Sequence, residues 1–291
     1  MNILIYGGKG WIGSQFIENL KNENISFKIS SIKVELGLKN EILNEIEDYK
    51  PSNVISFIGR THGKIGDKYY STIDYLEQDE KLVENMRDNF IGPQLLASIC
   101  EELDIHFTYM GTGCIFTYKD DDVEYKFTEN DNANFFGSSY SIIKGYTDKI
   151  MHGYKNTLNL RIRMPIVGED NPRNFITKIT KYEKICSIPN SMTVLPELLP
   201  LIIDLMKMRH VGTLNFTNPG VISHNEILEM YKEFVNNDFD WQNFSIEEQN
   251  KILASKRSNN HLDTTKLEKL FPNVKNIKVS VQELLQKYKK D

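Results

Sequence analysis

Residues 2–13 read NILIYGGKGWIG. Ile3–Tyr6 is the short, near-continuous apolar run of a strand buried on both faces. The run stops at glycine, and Ile12, Phe16 and Leu20 then fall at i, i+4 and i+8, one face of a helix. Gly7, Gly10 and Gly13 therefore occupy the turn between a strand and a helix, in the spacing G-x-x-G-x-x-G. Gly7 permits the tight turn, and Gly10 lets the backbone approach a diphosphate resting on the helix N-terminus. Gly13 allows the helix to pack closely on the strand. A strand before and a helix after separate such a cradle from an ordinary glycine-rich turn. Gly7, Gly8, Lys9, Gly10, Trp11, Ile12 and Gly13 are the candidate cofactor contacts here.

The same alternation continues outward. Further strands are expected at Phe27–Ile32, Val54–Ile58, Phe107–Met110 and Leu160–Ile166, with helices at Leu82–Leu103 and Tyr140–Tyr154. Strands alternating with helices predict an α/β fold, a Rossmann-like doubly wound parallel sheet covered on both faces. From about residue 167 prolines punctuate short segments, which predicts a smaller C-terminal substrate lobe. The expected domains are 1–166, binding the dinucleotide, and 167–291, partly interleaved with the first.

Composition narrows the function. The net charge is −5 and no basic stripe with interleaved aromatics occurs, so nucleic acid is not an expected partner. Cys100, Cys114 and Cys186 are odd in number and widely spaced, which favours a reducing compartment. The N-terminal apolar run is too short for a signal peptide or a membrane span, so a cytoplasmic protein without a membrane partner is expected. The six histidines include no HExxH, and no metal is expected. Ser223-His-Asn-Glu226 reads as a capping box opening a helix over EILEMYKEF. The acidic run 120–122 and the terminal KYKKD read as solvated faces.

Past the second strand, residues 30–34 read SSIKV, with no acid to accept from a ribose 2′-hydroxyl. Lys33 and the serines suit a 2′-phosphate instead, which favours NADPH over NADH; Glu35 stands close by. Gly59 and Arg60, just beyond the third strand, join the candidate cofactor contacts, as do Tyr140 and Lys144 farther along.

Two other stretches carry chemistry. Residues 107–116 read FTYMGTGCIF, placing Thr112 at a strand end with Cys114 two residues on, on the same side of an extended chain. Residues 139–144 read SYSIIK, so Tyr140 and Lys144 share one helix face. Among 14 tyrosines only Tyr140 has a lysine four residues on, no more than chance supplies. Order is what lifts it, because the glycine turn comes first, Thr112 next, then Tyr140 and Lys144. A phenol is a weak acid at neutral pH unless an ammonium sits nearby, and a hydroxyl beside a ketone oxygen stabilises developing charge.

The glycine spacing and the Thr, Tyr and Lys order resemble the extended short-chain dehydrogenase/reductases. Longer stretches are similar to the nucleotide-rhamnose synthase/epimerase-reductase family, related to dTDP-4-dehydrorhamnose reductase. They are YGGKGWIG, GTGCIF, SSYSIIKG, LRIRMP, NPRNFITKI, IPNSMTVLPELLP, NFTNPGVISHNEILEMYK and RSNNHLD. Residues 36–50 and 62–80 match it least. The resemblance implies conversion of UDP-4-keto-6-deoxy-D-glucose to UDP-L-rhamnose with NADPH, by inversion at C3 and C5 and reduction at C4. It implies Thr112, Tyr140 and Lys144 as the reductase triad. Cys114 and Lys178 are implied as the acid/base pair, Cys114 as base. Arg173, Asn174 and Arg257 are candidate substrate contacts, the arginines because a guanidinium fork suits a diphosphate. A homodimer and an upstream 4,6-dehydratase are the candidate protein partners. A 4-reductase without epimerase activity, or a non-catalytic NADP-binding regulatory subunit, are the alternatives. Cys114 and Lys178 separate the first, and turnover of a 4-keto sugar nucleotide separates the second.

Overall fold

The computed structural model describes residues 1–119 and 122–289. Of the two charged runs, residues 120, 121, 290 and 291 lie outside the described residues, whereas Asp122, Lys287 and Lys289 are exposed. The chain divides into two compact units. One comprises 1–112, 138–161 and 199–214, the other 113–137, 162–198 and 215–291. A single boundary at 166/167 would put 113–137 with the first and 199–214 with the second; the chain crosses between units more often than that.

The first unit is built on strands β1 (Asn2–Tyr6), β2 (Ser26–Ile29), β3 (Asn53–Ser56), β4 (His106–Thr112), β5 (Thr157–Ile162) and β6 (Gly212–Asn215). They lie in the order β6-β5-β4-β3-β1-β2, a Rossmann-like doubly wound sheet. β1 pairs in parallel with β2 (Ile3 opposite Phe27) and with β3 (Tyr6 opposite Ser56). β3 pairs in parallel with β4, Ser56 opposite Tyr109. The strand order therefore reverses at β1, and the carboxyl ends of β1 and β3 make the crevice where such sheets bind ligands. Leu4 and Tyr6 pack into a core with Ile42 and Ile46 of α2 (Lys39–Tyr49) and Leu95–Cys100 of α3 (Gly92–Glu102). α1 (Trp11–Asn22) covers the opposite face, where Ile17 and Ile5 converge on Gly8.

The expected helix Leu82–Leu103 begins at Lys81 and contains a wider turn at Arg87–Ile91 before α3. Pro93 explains the turn. It has no N–H for the carbonyl of Asn89, and its ring crowds that carbonyl in a regular helix. Thr147 takes the released carbonyl, donating its hydroxyl at 2.6 Å. Thr147 belongs to α4 (Ser139–Met151), the helix that carries Tyr140 and Lys144.

Three strand ends fall short of expectation. β3 stops at Ser56, whose hydroxyl accepts from the Ile58 N–H. β2 stops at Ile29 because Ser30 turns inward and donates to Glu45 at 2.6 Å. β5 stops at Ile162, and Pro165–Ile166 pairs instead with Thr193–Val194 in the second unit. That unit has its own core, with Ile176 and Ile179 from α5 (Phe175–Ile179) and Ile227 and Leu228 from α6 (His224–Phe234). The capping box at Ser223 and Glu226 is formed. Among the described residues no helix is long and apolar enough to cross a membrane.

Candidate active site

The glycine turn is fixed by close approach. Gly7 has φ +75°, and a Cβ there would stand 2.9 Å from the backbone of Phe57 and Ile58 after β3. A Cβ on Gly13 would lie 2.7 Å from the Gly7 carbonyl oxygen. α1 opens at Gly10 with neither a capping side chain nor an acidic residue in its first turn. Its N-terminal N–H groups and positive dipole end are thus left to bind an anion, which fits a dinucleotide diphosphate.

The remaining cofactor candidates sit at neighbouring strand ends in this unit. Lys33 is exposed and paired with Glu35 at 2.8 Å. Ser30 is spent on Glu45, which leaves Ser31 and Lys33 as the exposed polar groups of that segment. Arg60 is held by Asp88, Nε donating at 2.9 Å, while its backbone N–H and carbonyl are clasped by the Asn89 amide. Asn89 therefore secures the loop after β3 through its side chain and α4 through its carbonyl. Sequence reading missed that residue.

α4 is anchored at both ends. Ser138 accepts from the Ser141 N–H at its start, and Glu77 accepts from the Ser139 N–H at 2.7 Å. Farther along, Asp148 receives Nε and Nη2 of Arg161 at 2.8 and 2.7 Å and Nδ2 of Asn159 at 2.8 Å. Arg161 is fully buried, so this is a bidentate pair inside the protein that fixes the helix against β5. Tyr140 and Lys144 are thereby held on one turn of an immobilised helix, both buried, as is Thr112 at the end of β4. The Lys144 ammonium donates to the hydroxyl of Tyr109 and lies 4.5 Å from the centre of its ring. Burial pushes the Tyr109 phenol well above its ordinary range, with Tyr140 and Asp148 adding to it, so Tyr109 stays a neutral acceptor. A neutral acceptor positions the ammonium without cancelling its charge. Alternation along β4 marks Tyr109 only as a core residue, which is why it escaped notice.

In the second unit the extended chain expected through Cys114 does not continue. β4 ends at Thr112, and Cys114 sits half-buried in a turn. Gly113 donates its N–H to Ile162, and a Cβ on it would meet Leu262 at 2.6 Å and Arg163 at 3.1 Å. Asn260 then clamps the turn, its amide donating to the carbonyls of Gly113 and Phe116 at 3.0 and 2.9 Å. Cys114 is presented by a packed turn, where its direction is set by Asn260.

Asn174 is not open to a ligand. It is fully buried and caps α5, and its amide bridges Val167, Glu169 and Tyr288. What it does is tie the loop from Val167 to the start of α5, fixing Arg173 just before that helix and Lys178 on it, both half-buried. Lys178 is lowered to about 8, first by burial and then by the charges of Arg173 and Arg257. Arg173 and Arg257 thus lie close enough for their charges to act on Lys178, a grouping that suits an anionic ligand. Arg257 is steadied by the carbonyl and hydroxyl of Ser255.

Comparison with known proteins places these features in a lineage. The model of the NAD dependent epimerase/dehydratase family matches residues 3–169. The crystal structure of a UDP-rhamnose synthase from Acanthamoeba polyphaga mimivirus superposes with a TM-score of 0.94, at 49% identity, covering 99% of each chain. A bifunctional dTDP-4-dehydrorhamnose 3,5-epimerase/dTDP-4-dehydrorhamnose reductase of Arabidopsis thaliana is 43% identical over 96% of this chain and 91% of its own. A trifunctional UDP-glucose 4,6-dehydratase/UDP-4-keto-6-deoxy-D-glucose 3,5-epimerase/UDP-4-keto-L-rhamnose-reductase of the same plant is 42% identical over 97% of this chain. The match spans 41% of that longer protein.

Proposed function

The chain belongs to the NAD dependent epimerase/dehydratase family, and on that footing we propose that it is a bifunctional 3,5-epimerase/4-reductase. It takes UDP-4-keto-6-deoxy-D-glucose to UDP-L-rhamnose with NADPH. The observation that carries this reading is 49% identity to a UDP-rhamnose synthase along nearly the whole of both chains.

The residues suit the two halves of the chemistry. C3 and C5 flank the C4 ketone, so their protons are acidic once charge on the oxygen is stabilised. Cys114 removes a proton and Lys178 returns one to the opposite face. A lysine held near 8 is still mostly protonated at neutral pH, yet gives up its proton more readily than an exposed one. Thr112 donates to the ketone oxygen and Tyr140 protonates it as C4 is reduced, with the Lys144 ammonium making that phenol a stronger acid. NADPH, when bound, supplies the hydride. Gly7, Gly10, Gly13 and the N-terminus of α1 hold its diphosphate, with Lys33 beside the ribose phosphate. Arg173 and Arg257 hold the sugar nucleotide's diphosphate, with Asn174 fixing the chain at Arg173 and Ser255 steadying Arg257.

The substrate is what a nucleotide-sugar 4,6-dehydratase makes, and the trifunctional plant relative carries that activity in one polypeptide. A dehydratase upstream of this chain is therefore part of the proposal, in a reducing compartment such as the cytoplasm. The test is product analysis by NMR with NADPH and the UDP- or dTDP-linked 4-keto-6-deoxy sugar. A rhamno-configured product is expected, with Y140F binding NADPH but not oxidising it. No NADPH oxidation with either nucleotide overturns the reading.

A further inference from the structure

Arg163 lies in LRIRMP next to the Cys114 turn, and no role above uses it. It is 1% exposed, although an arginine cannot shed its charge in a protein. Nη2 donates to Asn190 Oδ1 and to the Ser258 carbonyl, both at 2.9 Å. Nε and Nη1 are buried with no hydrogen-bond partner among the described residues. Every acceptor it has is neutral. A buried guanidinium served by two neutral oxygens is a charge lacking its counter-ion.

The groups around it leave one candidate. Its Cγ and Cδ run against Gly113, each 3.1 Å from where a Cβ of that residue would stand, and Cys114 is the next residue. The groups whose charge bears on Arg163 are Cys114 and Tyr118, and Arg163 in turn bears on His224. Tyr118 donates its hydroxyl to the Pro189 carbonyl at 2.8 Å, and burial pushes it up to about 12, so it stays neutral. His224 is buried and lowered to about 4, chiefly by that burial, so it is neutral as well and cannot be an anion in any state. Cys114 remains.

We propose that Arg163 is the positioning residue of the epimerase step, its buried guanidinium holding Cys114 as the thiolate before substrate arrives. The inference rests on the function proposed above and deepens it, because it fixes Cys114 as the base and Lys178 as the acid. The thiolate takes the proton from the carbon beside the ketone, becoming a thiol, and the C–H electron pair moves to form the enolate with its charge on the C4 oxygen. The Lys178 ammonium gives a proton to the opposite face of that carbon, the enolate pair forms the new C–H bond, and lysine is left as the amine. Proton exchange with water restores both groups. Asn190 and Ser258 serve by holding Nη2, which leaves Nε and Nη1 for the thiolate.

The test measures iodoacetamide alkylation of Cys114, mapped by mass spectrometry, and deuterium wash-in to the 4-keto sugar nucleotide from D2O. In R163Q, shown to be folded by its melting transition, alkylation at neutral pH should slow by about tenfold or more. Wash-in should fall with it, and R163K should restore much of both. A folded R163Q whose Cys114 is alkylated at the wild-type rate overturns the proposal. If R163Q does not fold, the wild-type chain answers alone. As pH is lowered towards neutral, native Cys114 should keep its alkylation rate while the urea-unfolded chain loses its own; parallel losses overturn the proposal. Alkylation that depends on Arg163 in a protein showing no wash-in with any 4-keto sugar would uphold the pair and sink the proposed function.

Discussion

Adding one methyl group at Gly13 should cost the protein its dinucleotide. In G13A the new Cβ stands 2.7 Å from the Gly7 carbonyl oxygen and 2.9 Å from the Gly8 Cα, where ordinary contact begins at 3.4 Å. The turn must retreat by about 0.7 Å, an overpacking of the kind that costs about 1–3 kcal/mol. Alanine in place of glycine returns about 0.8–1 kcal/mol of helix propensity. Stability should therefore fall by at most about 2 kcal/mol, so the variant folds and melts a few degrees lower. Binding suffers more, because the turn that must move carries the N–H groups offered to the diphosphate, and the space beside Gly7 is closed by the backbone of Phe57 and Ile58. Displacing the N–H groups that face the diphosphate by that distance should weaken NADPH by at least about tenfold, about 1.4 kcal/mol. Fluorescence titration of NADPH beside a thermal melt reads both quantities. Wild-type affinity in G13A would refute the claim that this turn is the cradle.

Three further outcomes follow from the same geometry. T147V keeps the shape of the side chain but leaves the Asn89 carbonyl without its donor, which should cost about 1–3 kcal/mol in a denaturant melt. D148N strands the buried Arg161 guanidinium and should be more damaging, about 3–5 kcal/mol by the same measurement. Lys178 can donate only while protonated, so deuterium wash-in should decline as pH rises through about 8, and K178M should abolish it. A wash-in rate that holds steady above pH 8 would remove Lys178 from the acid role.

Much of the fold is legible where the signal is local. The G-x-x-G-x-x-G turn and the Tyr140–Lys144 helix are read from residues a turn apart, and both stand where the spacing puts them. Strand ends are less legible because they depend on distant partners. Nothing in SSIKV shows that Ser30 will turn to Glu45, and nothing in LRIRMP shows that the chain will leave the sheet to pair with Thr193. Side-chain roles separate in the same way. Asn174 in NPRNF reads as a polar loop residue open to a ligand, and only the positions of Val167, Glu169 and Tyr288 make it a clasp. The two arginines of LRIRMP look alike in sequence, yet Arg161 finds the Asp148 carboxylate while Arg163 has, among the described residues, only the neutral oxygens of Asn190 and Ser258.

The measurement that bears most directly on the whole account is isotopic. The protein is incubated with UDP-4-keto-6-deoxy-D-glucose and NADPH in D2O, and deuterium is located in the product. UDP-L-rhamnose labelled at C3 and C5 is the expected result. A reduced product that keeps the gluco configuration and carries no label at either carbon would contradict the epimerase role of Cys114 and Lys178.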